Sequence, residues 1–239
     1  MGEPYLSIVV PAYNEARRIR GTLERLCHFK EQRPYSIELL VVDDGSTDET
    51  VGIVAEFPGI RLVRNDRNHG KGFTVRHGVL EARGEFVLFT DADLSTPIEE
   101  VDKLLSALQS SGADAAVGSR ALQRELIGIH QPWFRDMAGR FFNLLVRVFA
   151  GLRLHDTQCG FKLFQLSTTR RAFERMRVEG FGFDPELLFL IERNGGKIVE
   201  VPVRWNDNPA TKVRFLRDST RMFLDLIALR WRALKGKYR

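Results

Sequence analysis

The chain has little of several things, and each scarcity narrows the reading. Of 239 residues only Cys27 and Cys159 are cysteines. They have neither the density of a disulfide scaffold nor the spacing of a metal site, so reduced thiols in a cytoplasmic protein are the expectation. No run of eighteen uncharged apolar residues occurs, which excludes a membrane-spanning helix at the level of sequence. The opening MGEPYLSIVV has neither the basic start nor the apolar stretch of a secretory signal. Internal repeats and low-complexity tracts are absent, and His28, His77, His130 and His155 show no metal-ligand spacing. What remains is a chain with 44% hydrophobic residues, enough for one sizeable α/β domain or two small ones.

Charge of one sign is concentrated at one end. Nine basic residues and only Asp218 and Asp225 as acids fall between Lys212 and Arg239, so the formal surplus of +5 belongs to that tail. Such a patch points to an anionic surface, a membrane or a nucleic acid. The aromatic residues of the tail follow helical spacing rather than forming a stacking platform, and clustered Asp elsewhere repels phosphate, so no nucleic-acid partner is expected.

Upstream, short apolar runs alternate with helical patterns. LSIVVPAYN, ELLVVDD, IRLVRN, EFVLFTDAD and ADAAVGSR read as strands covered on both faces. Residues 14–29, 51–57 and 98–110 read as intervening helices, with Asn14 as N-cap of the first, and HGKGFTVRHGVLEA as a Gly-rich entry into another. The pattern predicts an α/β fold with a mostly parallel open sheet and helices on both faces. Asn14 and Glu15, Asp43 and Asp44, and Asp91 and Asp93 each follow directly after a strand. In such a sheet those ends share one rim, where ligands bind at a topological switch point. Asp is a poor strand residue and neighbouring carboxylates repel, so three acidic clusters on one rim imply a cation between them.

In order, PAYNE, VVDDGSTDET, NHGKGFTVRHG, DAD, GSRAL and DTQCGFKLF resemble the inverting family 2 glycosyltransferases of the GT-A (Rossmann-like) fold. Within that family they are most similar to the polyprenyl- and dolichyl-phosphate β-glucosyltransferases and mannosyltransferases. The resemblance runs from about Leu6 to Trp205. It implies a GT-A domain over residues 1–210, with 133–154 facing acceptor and membrane, followed by a basic amphipathic helix over 211–239. It further implies that Pro11, Tyr13, Glu15, Asp43, Asp44, Lys71, Asp91, Ala92, Asp93 and Gln158 hold a nucleotide-sugar. Asp91, Asp93 and Gln158 would ligate Mg2+ or Mn2+, with Ser95 standing where some relatives carry a further ligand. Arg120, Arg135 and Lys212 would grip an acceptor phosphate, and Asp156, Arg120 and Asp93 would be catalytic. The loop around His69 and Lys71 offers backbone N–H groups to a diphosphate, and Asp184 and Glu186 are candidates to face the site.

The chemistry suits those residues. A hard cation on two carboxylates acts as a Lewis acid on a departing diphosphate. A phosphate monoester, with a second pKa of about 6, arrives ionised and needs cations to hold it rather than a base to activate it. Arg120 and Arg135 fit that need, because guanidinium binds phosphate bidentately. The implied reaction moves a hexose, UDP-glucose being favoured as donor, to polyprenyl or dolichyl phosphate with inversion to a β-linked product. A GDP-mannose donor, or a saccharide hydroxyl acceptor with Asp156 as base, stands as the alternative. Segments 133–154 and 215–234 combine Trp, Phe and Leu with arginines, the composition of helices that lie on a membrane. Peripheral attachment to the cytoplasmic face of a membrane, with or without a membrane-protein partner, is the expectation.

Overall fold

The computed structural model describes residues 2–129, 131–207 and 215–238. Lys212 therefore lies outside the described residues. The strands are β1 (Leu6–Ala12), β2 (Ile37–Asp43), β3 (Ile60–Arg64), β4 (Phe86–Thr90), β5 (Ala115–Ser119), β6 (Ile127–Ile129), β7 (Phe161–Gln165), β8 (Ile198–Pro202) and β9 (Trp205–Asn206). The α-helices are α1 (Ile19–Glu31), α2 (Thr50–Ala55), α3 (Lys71–Glu81), α4 (Val101–Ser111), α5 (Trp133–Ala150), α6 (Leu166–Arg175), α7 (Phe183–Arg193) and α8 (Phe215–Leu234).

Seven strands form one sheet in the order β3-β2-β1-β4-β7-β5-β8, and β6 pairs with β9 beside it. All neighbours in the large sheet are parallel except β7, which runs antiparallel to both β4 and β5. Successive strand residues point to opposite faces, and both faces are apolar. Ile8, Val10, Leu39, Val41 and Leu88 pack under α1 and α4 through Leu23, Leu26, Leu104 and Leu108. Val9, Leu40, Val42, Val87 and Phe89 pack on the other face with Val75, Val79, Phe183 and Leu187. Fully burying one such side chain contributes roughly 1.5–3 kcal/mol. This two-sided demand explains why these strands carry no polar alternation.

β1 lies between β2 and β4, so the chain leaves it to one side for β2 and β3 and later returns to its other side with β4. That is the switch point, and the carboxyl ends of β1, β2 and β4 open there onto a cleft.

Two local expectations are corrected, and one segment takes a place the sequence did not indicate. Asn14 does not cap α1, which begins at Ile19 after a turn closed by the Glu15 carbonyl accepting from the N–H groups of Arg18 and Ile19. Asn14 instead takes a left-handed backbone (φ 52) and its Oδ1 accepts from Thr47 N–H at 2.8 Å, tying the β1 and β2 loops together. The helix within 133–154 stops at Ala150, because Gly151 (φ 77) closes it in the left-handed conformation. DTQCGFKLF contributes the antiparallel strand β7 at the centre of the sheet.

Candidate active site

The acidic turn after β4 is fixed at several backbone points. Asp91 N–H donates to the Gly160 carbonyl (3.2 Å), Thr22 Oγ1 donates to the Ala92 carbonyl (2.6 Å), and Ser95 N–H donates to Asp93 Oδ1 (3.0 Å). Leu94, a bulky residue, is held at φ 47. Such a residue persists in that region only where its surroundings impose it. Gly160 makes room for Asp91: a Cβ on the glycine would stand 2.0 Å from Asp91 Oδ2, so any side chain would push the carboxylate away.

Each carboxylate of the pair meets a cation. Lys71 Nζ lies 2.6 Å from Asp91 Oδ1, and Arg18 Nη1 lies 3.3 Å from Asp93 Oδ2. Arg18 is itself gripped by Glu15 through Nε and Nη2. Burial opposes the charge on Lys71, but Asp91 and Asp184 outweigh it and its pKa is raised. Lys71 opens α3 behind Gly70, whose φ of 106 and whose approach to the Glu179 carbonyl (2.6 Å from a would-be Cβ) demand glycine. Asp44 holds this loop, accepting from His69 N–H (3.0 Å), Gly70 N–H (2.8 Å) and Asn65 Nδ2 (2.7 Å).

Pro11, Tyr13, Glu15, Asp44, Lys71, Asp91, Ala92 and Asp93 line one cleft of about 620 Å³. Asp43 does not join them; it is fully buried at the end of β2, where its carboxylate accepts from Ser46 N–H. A second cleft of about 650 Å³ shares Lys71, Asp91, Asp93 and Phe181 with the first. It continues past Arg120, Arg135 and Gln158 into an apolar trough between α5 and α8, walled by Phe141, Phe142, Leu145, Met222 and Phe223.

Both Asp156 carboxylate oxygens bond Arg120. Its Oδ2 accepts from Arg120 Nε (2.6 Å) and backbone N–H (3.1 Å), and its Oδ1 from Arg120 Nη2 (2.8 Å) and Gln158 N–H (3.0 Å). Burial would raise the Asp156 pKa, but the Arg120 charge overrides it and holds the carboxyl below its ordinary range. The same pair raises Arg120 against its own burial. Arg120 also lies over the Trp205 ring, 5.2 Å from its centroid. Glu200 supports the arrangement from behind, accepting from the N–H groups of His155 and Asp156.

Two participants were not read from the sequence. Arg18, at the end of the turn after Glu15, bridges to Asp93. Lys162 on β7 is fully buried and donates to Asp184 Oδ1 (2.6 Å) and the Cys159 carbonyl (2.5 Å). A lysine amid F-K-L-F, where apolar alternation predicts a core position, was the available signal. Asp184 lines the second cleft, and burial pushes its pKa up. Glu186 does not face the cleft; it is buried, accepting from Arg177 and Val178 N–H and from the Tyr238 hydroxyl. Cys159 packs in the core and burial pushes its thiol up to about 11, which leaves it inert at neutral pH.

Among the described residues no three His, Cys, Asp or Glu side chains converge as a cage for a metal. The donor set on offer is the pair Asp91 and Asp93, and two carboxylates completed by substrate phosphates are how Mg2+ is commonly bound. Gln158 adds a buried amide nitrogen with no hydrogen-bond partner in the same cleft; turned over, the amide presents its oxygen there instead. The residues fit such an ion.

A mostly parallel sheet whose acid-tipped strands open on a cleft at the switch point is the architecture of a GT-A glycosyltransferase. Residues 7–171 match Glycosyl transferase family 2, and the chain belongs to that family. It is 37% identical to the dolichyl-phosphate beta-glucosyltransferase of Drosophila melanogaster over 98% of this chain and 77% of that protein. With the enzyme of that name from Saccharomyces cerevisiae the identity is 34%, over 99% of this chain and 77% of that protein. In fold it is similar to glucosyl-3-phosphoglycerate synthase from Mycobacterium tuberculosis, solved with Mn2+, uridine-diphosphate and glucosyl-3-phosphoglycerate. That likeness has a TM-score of 0.70 and 21% identity, over 95% of this chain and 78% of that one.

Proposed function

We propose that this glycosyltransferase moves glucose from UDP-glucose to dolichyl or polyprenyl phosphate with inversion. The observation that carries the proposal is the pair of joined clefts. One is rimmed by the acid-tipped turns and sized for a nucleotide; the other runs from the shared carboxylates past two arginines into an apolar trough. A soluble sugar acceptor has no use for such a trough, whereas an isoprenoid chain does. The names of the relatives agree with this reading.

In this reading Pro11, Tyr13, Glu15 and Asp44 bind the nucleoside portion, and Lys71 meets the diphosphate. Asp91 and Asp93, with the Gln158 amide, would hold Mg2+ or Mn2+, which when bound neutralises charge growing on the diphosphate. Arg120 and Arg135 hold the acceptor phosphate, whose ionised oxygen is itself the nucleophile. Asp156 orients Arg120; with both oxygens engaged and its pKa depressed, it is poorly suited to take a proton.

The trough also suggests where the lipid enters. Trp133, Met137, Phe141, Leu144 and Val148 on α5 and Leu224, Ile227, Trp231 and Leu234 on α8 are exposed large apolar side chains. No helix among the described residues is long and apolar enough to cross a membrane. We propose that these two helices lie on a bilayer surface, where each nearby Lys or Arg adds roughly 1 kcal/mol toward anionic lipid.

The test is to incubate the protein with dolichyl phosphate and radiolabelled UDP-glucose or GDP-mannose, with and without EDTA, and count the organic phase. UDP-glucose is expected to give lipid-phase label that EDTA reduces to background. Label from GDP-mannose alone would overturn the donor, and label indifferent to EDTA would overturn the metal.

A further inference from the structure

We infer that Lys71 couples the metal to the donor: its ammonium occupies the metal-facing carboxylate until a diphosphate draws it away. The inference rests on the proposed metal-dependent reading and adds an order of assembly to it.

The two cations at the acidic pair differ in freedom. Arg18 is clamped to Glu15 through two guanidinium nitrogens and only reaches Asp93 at 3.3 Å. Lys71 makes the shorter contact, 2.6 Å to Asp91 Oδ1, from the end of a flexible four-carbon stem. Its backbone is anchored around that stem. Gly70 N–H donates to Asp44 Oδ2 (2.8 Å), and Gly72 N–H donates to the Glu179 carbonyl (2.7 Å). The ammonium can therefore swing while its base stays in place. It lines both clefts, so a swing carries it toward either phosphate-binding region.

A divalent ion approaching the bare protein meets a two-carboxylate site in which one carboxylate already carries a counter-ion. With only two carboxylates to offer, the site cannot spare one. A diphosphate changes both sides of this balance, because its oxygens give Lys71 a new partner and give the ion further ligands. Metal and diphosphate then bind with positive coupling, and linkage makes that coupling reciprocal. The consequence is that the ion is recruited with the donor, and the empty enzyme does not hold its carboxylates primed.

The test follows free Mn2+ by its paramagnetic resonance signal while the protein is titrated, in wild type, Lys71→Met and Lys71→Arg. Each is measured alone and with UDP, GDP or inorganic pyrophosphate, and thermal unfolding establishes that each variant folds. Wild type is expected to bind Mn2+ weakly alone and at least about tenfold more tightly with UDP, the scale on which a neighbouring charge shifts an equilibrium. Lys71→Met is expected to bind Mn2+ alone about tenfold more tightly than wild type and to gain much less from UDP. Lys71→Arg, which keeps the charge, is expected to bind Mn2+ alone as weakly as wild type. If folded Lys71→Met binds Mn2+ alone no more tightly than wild type, or gains as much from UDP, the coupling role is wrong. Tightening by GDP or pyrophosphate but not UDP, still abolished by Lys71→Met, would preserve the coupling and overturn the donor assignment instead.

Discussion

Asp91→Asn and Asp93→Asn are each expected to cut lipid-phase transfer by about a thousandfold or more while leaving the fold intact. The size follows from the role proposed for the ion. A Lewis acid on the leaving diphosphate supplies several kcal/mol of transition-state stabilisation, and each 1.36 kcal/mol is about a factor of ten. The fold is insulated because the turn is held through its own backbone groups: Asp91 N–H, the Ala92 carbonyl and Ser95 N–H. Of these only the Ser95 N–H bonds a carboxylate oxygen, which an amide oxygen replaces. Transfer rate and melting temperature measured together check the claim. A variant that melts like wild type and keeps more than a tenth of its activity would remove these carboxylates from the centre of the mechanism.

The second large effect concerns Arg120 and Asp156, which are expected to fail together. Asp156→Asn leaves the guanidinium without its countercharge. Breaking a buried ion pair costs about 3–5 kcal/mol, and the lower end applies because a quarter of the Arg120 side chain (25%) stays exposed. At roughly 2–4 °C per kcal/mol for a chain of this size, the melting temperature falls by roughly 6–12 °C. Transfer is expected to fall by about a hundredfold or more, because a bidentate phosphate clamp loses its geometry. The double variant Arg120→Met with Asp156→Asn, which removes both charges and keeps an oxygen for the backbone N–H groups, is expected to recover part of the stability and none of the activity. A base role for Asp156 predicts a different pattern, in which Arg120→Lys stays active and only changes at Asp156 matter. Because the Asp156 pKa is depressed on folding, the pair's stabilisation is fully present above the ordinary carboxylate range. It is lost as pH falls through the lower folded value, which thermal melts along an acid series will register.

What the sequence made legible was local and repetitive. Apolar runs ending on Asp43–Asp44 and Asp91–Asp93 announced strands whose ends share a rim, because acids are poor strand residues. Even so, adjacency did not reveal which acid of a pair turns outward: Asp44 reaches the cleft and Asp43 is buried beneath it. The parts that stayed hidden depend on distant partners. Lys162 sits at a core position by pattern but has no visible partner until β7 is inserted antiparallel between β4 and β5, which points it toward Asp184 on α7. Asn14 has the chemistry of an N-cap, but its side chain finds the β2 loop, thirty-three residues on, a better partner. Glu186 is an acid in the first turn of α7 whose partners, among them Tyr238, lie on elements that no local pattern brings to it. Family resemblance supplied what periodicity lacked, marking GSR and DTQCGFK as site segments, but only the fold brings Arg120 and Asp156 into contact.

In the proposed reaction the acceptor brings its own ionised nucleophile, so the protein would supply cations and a trough instead of a base. The direct measurement offers the same radiolabelled UDP-glucose to dolichyl phosphate, to dolichol and to a soluble saccharide, in separate reactions with Mg2+ or Mn2+. Transfer to dolichyl phosphate alone is the predicted result. Transfer to dolichol or to the saccharide hydroxyl, at a rate comparable to that with the phosphate, would contradict it and return Asp156 to consideration as a base.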